Sequence, residues 1–105
     1  MSMYGHTHAD IFKSVQSISG QANPVGVLTV CGSITTWSGI NPSFCVYEVD
    51  KETLLPVERS TWSYDMTTAN ANGTPEWDIY TNWLEDYKMK DLSPSSYVDF
   101  LERLG

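Results

Sequence analysis

Val25-Gly26-Val27-Leu28-Thr29-Val30-Cys31 is a nearly continuous apolar run of strand length, rich in β-branched residues. A half-buried strand alternates apolar and polar side chains, so a run without alternation reads as a strand covered on both faces. These residues are expected to form the centre of the core. Upstream, residues 11–18 mix apolar and polar side chains and end in Ser19-Gly20-Gln21-Ala22-Asn23-Pro24, a loop rich in turn formers. Downstream, residues 32–42 form a polar and aromatic connection whose exit is set by Gly39 and Asn41-Pro42. A second β-rich segment covers residues 44–49, and Asp50-Lys51-Glu52-Thr53 turns it into a third over residues 55–64. There Glu58, Ser60, Trp62 and Tyr64 fall on one face, and Pro56 makes this strand an edge or a late starter.

Strands give way to helices in the last third. Residues 67–73 read as a linker. Thr74-Pro75 then offers a cap and a first-turn proline, after which Trp77, Tyr80, Trp83, Leu84 and Tyr87 recur at helical spacing. Ser93-Pro94 repeats the device ahead of Tyr97, Phe100, Leu101 and Leu104, with Gly105 closing the helix. Both aromatic stripes read as packing faces. A mostly antiparallel β portion followed by two C-terminal helices places the chain in the α+β class.

The 105 residues allow one domain at most, and 41% hydrophobic content is enough to build some core. A net charge of −7 with only six scattered Lys and Arg excludes the clustered basic surface that nucleic acid or anionic lipid attracts. No apolar run approaches a membrane span, and Met1-Ser2-Met3-Tyr4 lacks the basic start and apolar centre of a signal peptide. Cys31 and Cys45 both sit in strand-like runs, which suits a disulfide and a pair of buried thiols equally. Neither has a partner at metal-site spacing.

Chemistry concentrates at the N-terminus. Gly5-His6-Thr7-His8 sets two imidazoles one residue apart, and in an extended segment both point the same way, toward one metal ion or two adjacent ones. A catalytic metal site needs at least three protein ligands, and His6 and His8 are the only histidines present.

Three blocks extend the motif: Gly5-His6-Thr7-His8-Ala9-Asp10-Ile11-Phe12, Val30-Cys31-Gly32-Ser33-Ile34-Thr35-Thr36-Trp37 and Asn41-Pro42-Ser43-Phe44-Cys45-Val46-Tyr47-Glu48-Val49-Asp50. In order and spacing they resemble the C-terminal part of acid sphingomyelinase-like phosphodiesterases, within the calcineurin-like metallophosphoesterases. The likeness continues more loosely through Trp62-Ser63-Tyr64-Asp65-Met66 and Pro75-Glu76-Trp77.

The resemblance implies a fold and a set of roles. Such domains are sandwiches of two sheets flanked by helices, with metal ligands on loops at strand ends. Residues 1–66 then correspond to the end of a catalytic domain and residues 67–105 to a helical C-terminal extension. His6 and His8 take the places of ligands to the two metals of a binuclear zinc centre. Asp10 takes a place behind them, orienting an imidazole. Thr36, Trp37 and Asn41 fall on a loop bordering the cleft for a phosphodiester or lipid headgroup. The family's Asp-x-His, Gly-Asp-x-x-Asp and Gly-Asn-His-Asp/Glu blocks and its further histidine, which supply the other ligands and the proton donor, have no counterpart here. No catalytic residue is therefore assigned, and the chain is expected to be a fragment that depends on upstream catalytic segments. Relatives of this kind are secreted or lysosomal, where Asn72-Gly73-Thr74 would be read as a glycosylation sequon. Two other classes remain open: a truncated, non-catalytic interaction fragment, and an unrelated metal module using His6, His8 and Asp10 as a facial triad.

Overall fold

The structure, a computed structural model, describes residues 1–17, 19 and 24–105. The turn expected at residues 20–23 and the strand end expected at Ile18 lie outside the described residues. The chain runs β1 (Ser2–Tyr4), β2 (Ile11–Gln16), β3 (Pro24–Val30), a 3-10 turn at Trp37–Gly39, β4 (Ser43–Val49), β5 (Pro56–Ser63), α1 (Met66–Asn72), β6 (Asp78–Asn82), α2 (Trp83–Asp86) and α3 (Pro94–Arg103). Two three-stranded sheets, mostly antiparallel, precede the main helix, which is the α+β arrangement expected.

The first sheet has the order β1-β3-β2, with β1 parallel and β2 antiparallel to the central β3. The apolar run therefore lies mid-sheet, and it is covered on both faces only toward its end, where the adjacent Thr29 and Val30 point to opposite sides. Val27, Thr29 and Val30 are buried, whereas Val25 is 64% exposed. Flanking strands shield β3 laterally, and α3 packs on it and on β2.

The second sheet is antiparallel throughout, in the order β4-β5-β6. Pro56 opens β5, where its missing N–H does least harm to the ladder, so the strand does start late. It is nevertheless the centre of its sheet and not an edge. Glu58, Ser60 and Trp62 share a face as expected, and Phe44 on β4 stacks on Trp62 with ring centroids 6.2 Å apart. The opposite face, carrying Arg59 and Thr61, is the buried one.

The first of the two expected helices is replaced by a strand and a single helical turn. Ile79, Tyr80 and Thr81 are β-branched or aromatic, and pairing with β5 satisfies their backbone where an isolated helix would have to nucleate. The aromatic stripe is correspondingly split: Trp83 is buried and Leu84 and Tyr87 pack on the core, Tyr80 is 78% exposed, and Trp77 packs on Phe44 and Tyr64 instead. The expected linker over residues 67–73 is in turn helix α1. Its Thr and Asn residues are weak helix formers, but Asp65 accepts a hydrogen bond from the Thr68 N–H at 2.7 Å, and Gly73, at φ 72°, closes the helix by donating to Ala69.

The core joins Val27 to Trp83, Met89, Leu92 and Tyr97, with Phe12, Leu84, Tyr87 and Phe100 packed against them. Helix α3 follows its sequence signal at Ser93-Pro94, and Tyr97 is fully buried while Leu101 and Leu104 stay exposed. Asp91 anchors its start: the carboxylate accepts from the Ser93 and Ser96 hydroxyls and from the Ser93 N–H, which hold it at about 2, below the usual carboxylate value of 3.8. A group bound more acidic in the folded state stabilises above its unfolded pKa and loses that contribution as pH falls toward the folded value. Acid titration followed by tryptophan fluorescence should therefore show Asp91→Asn with a flatter stability curve than the parent between about pH 4 and 2. Solvent screening keeps the difference to roughly 1 kcal/mol or less.

Cys31, just past β3, and Cys45 on β4 form a disulfide with Cα atoms 6.0 Å apart. It ties the two sheets together, and closing the intervening loop removes denatured-state entropy worth about 3 kcal/mol. Beside it the Thr29 and Tyr47 hydroxyls hydrogen-bond across the same junction at 3.0 Å.

Candidate functional site

The loop between β1 and β2 passes the end of β3 and carries both histidines. It is not extended. His6 (φ 79°) and His8 (φ 61°) both occupy the left-handed region, so turns and not strand alternation direct their side chains. Non-glycine residues adopt this region rarely and at some energetic cost, and such residues cluster at functional sites. His6 is exposed. His8 is half-buried, lies edge-on to Trp37 with centroids 6.2 Å apart, and its Nδ1 is buried without a hydrogen-bond partner among the described residues.

Asp10 lies two residues on and ties this loop to the second sheet. One carboxylate oxygen accepts from Arg59 Nη2 at 2.5 Å, the other from the Thr61 hydroxyl at 2.6 Å. The Arg59 side chain is fully buried, against 25% exposure for Asp10. Its guanidinium lies 3.8 Å from the Trp83 ring centroid and 5.4 Å from that of Tyr47, with Nη2 also reaching Cys45 Sγ at 3.1 Å and the Val30 carbonyl at 3.4 Å. Flat stacking on an indole suits guanidinium and not ammonium. Sequence reasoning missed Arg59 and Thr61. The available signal was a basic residue in mid-strand, but period-2 alternation does not say which face turns inward.

His8 and Asp10 open onto a cleft of about 560 Å³ whose wall also includes Asn41, Thr61, Tyr64 and Asp78. Of the cleft residues expected from sequence, Asn41 lines it while its Oδ1 accepts from the Met66 N–H that begins α1. Trp37 is 72% exposed beside His8. Thr36 precedes the 3-10 turn, is exposed and is not on the cleft wall. Asn72 is exposed at the end of α1, ahead of the left-handed Gly73.

Among the described residues no three His, Cys, Asp or Glu side chains converge as a metal-holding group. The donor set nonetheless fits part of such a site: two imidazoles on a constrained loop, one of them, His8, lining a cleft and carrying a buried, unpartnered nitrogen. Among the described residues no helix is long and apolar enough to cross a membrane.

No family model matches the chain. Sphingomyelin phosphodiesterase B of Dictyostelium discoideum is 36% identical over 90% of this chain. Over nearly its whole length, the chain is a homologue of sphingomyelin phosphodiesterases. Sphingomyelin phosphodiesterase 2 of Caenorhabditis elegans is 32% identical over 96% of it, and acid sphingomyelinase-like phosphodiesterase 3b of Homo sapiens 29% identical over 97%. The chain spans 16%, 17% and 24% of the length of these three relatives, respectively.

Proposed function

We propose that this chain is the C-terminal, histidine-bearing part of a zinc-dependent phosphodiesterase that acts on sphingomyelin or a related phosphodiester. The observation that carries the reading is the buried, unpartnered Nδ1 of His8 at the edge of the cleft, in a chain whose relatives are named for this hydrolysis. His6 and His8 would hold the two ions of a binuclear centre jointly with ligands from upstream segments. Such a pair of cations acidifies water and neutralises charge on a phosphoryl group. The chain's other residues act around it. Asp10 anchors the histidine loop, Asn41 and Tyr64 form the wall against which the phosphodiester sits, and Trp37 limits water access to His8. In the family this chain resembles, the proton for the leaving oxygen comes from a further, upstream histidine, and an imidazole used as a ligand here is not free to donate.

A secretory or lysosomal setting belongs to the same proposal. It is supported by the Cys31–Cys45 disulfide, since such bonds persist in oxidising compartments, and by the exposed Asn72 sequon.

The test uses a chromogenic phosphodiester with the isolated chain, zinc and a chelator control at acid and neutral pH. No turnover above background is expected, because two neutral ligands without a bridging carboxylate do not hold two ions together. Chelator-sensitive turnover that scales with protein and disappears in His8→Ala would show instead that these residues hold a complete site.

A further inference from the structure

We infer that Arg59 is a positioning residue for the metal-binding loop, acting through Asp10, so that the second sheet sets the geometry of His8. The inference rests on the reading of His6 and His8 as ligands and adds a part that motif spacing does not contain.

The geometry is specific. The histidine loop belongs to the first sheet, joining two strands that both pair with β3. Asp10 is its last residue before β2, and both of its carboxylate oxygens are spent on β5 of the other sheet, on Arg59 and on Thr61. Arg59 is itself immobilised between Trp83 and the Tyr47 ring and is fully buried. A buried guanidinium held by aromatic faces is a rigid anchor, whereas an exposed ion pair would let the loop wander. The loop needs such an anchor because two of its residues sit in left-handed conformations that persist only where the surroundings over-determine them. Restraining Asp10 at both oxygens restrains His8, two residues earlier.

The experiment uses the full chain and three variants. Arg59→Met keeps an unbranched side chain between Trp83 and Tyr47 but removes the charge; Thr61→Val removes only the hydroxyl; Arg59→Met with Asp10→Asn removes both charges. The readouts are the melting temperature, the imidazole NMR signals of the metal-free protein, and zinc affinity by calorimetry. His6 and His8 are the only two histidines, so His6→Ala assigns both sets of signals. Arg59→Met should lower the melting temperature, shift the His8 signals and weaken zinc binding by about tenfold, the lower end of the range for residues that orient metal ligands. The double variant should recover melting temperature, since replacing a buried pair by neutral groups is often tolerated, but not zinc affinity or the parental His8 signals. Thr61→Val should shift the same signals with little change in melting temperature, which keeps the test open should Arg59→Met not fold. His8 signals and zinc affinity equal to the parent in folded double variant and Thr61→Val would overturn the inference. If instead the His8 signals move while zinc affinity is insensitive to His6→Ala and His8→Ala, the positioning role stands and the metal reading falls.

Discussion

Val27→Asp is expected to unfold the chain, whereas Val25→Asp on the same strand leaves it folded. Val27 is 4% exposed and packs with Trp83, Met89, Leu92 and Tyr97, so a carboxylate there would lose most of its hydration among apolar side chains. Burying an unpaired charge or its protonated, unsatisfied form costs several kcal/mol, which is comparable to the whole stability of a small domain. Val25 is 64% exposed, and substitutions at such positions usually stay within about 0.5 kcal/mol. Denaturant midpoints for the two variants measure the difference directly. Equal sensitivity would mean that the start of β3 is covered as well as its middle. Glu58 offers an intermediate case, because its carboxylate accepts from the Leu84 N–H at the start of α2 and is not the free charge of an edge strand.

Joined to upstream segments that supply the remaining ligands, His6→Ala and His8→Ala should each lower phosphodiester turnover by at least about a hundredfold and reduce bound metal. Changing a residue that merely supports a ligand already costs 10 to about 100-fold, and removing the ligand leaves an ion that water cannot hold in place. Metal content and turnover, measured on the same preparations, separate loss of the ion from misplacement of substrate. Thr36→Ala is the control, since Thr36 is exposed and off the cleft wall. Wild-type metal content and turnover in both histidine variants would remove the proposed site.

Local chemistry was legible in the residues themselves. The strand at β3, the late start of β5 at Pro56 and the opening of α3 at Ser93-Pro94 depend on neighbours in sequence, on hydrophobic pattern and on proline's missing N–H, and each stands where those signals place it. The histidines are legible too as neighbouring imidazoles, but the left-handed turns that direct them are not. What required the tertiary structure was every choice between local options of similar energy. Residues 78–82 carry helical spacing and β-forming side chains together, and the open edge of β5 decided for the strand. Residues 66–72 mix strong helix formers (Met66, Ala69, Ala71) with weak ones, and caps at both ends with a supporting bond from Asn41 decided for the helix. Cys31 and Cys45 became a disulfide because the two sheets bring their Cα atoms to 6.0 Å, a separation no spacing in sequence reveals. Above all, alternation along β5 leaves open which face is buried. Burying Arg59 and leaving Trp62 half-exposed contradicts hydrophobicity alone, and it is favourable only because Asp10, 49 residues earlier, arrives with its carboxylate to meet the guanidinium between two aromatic rings.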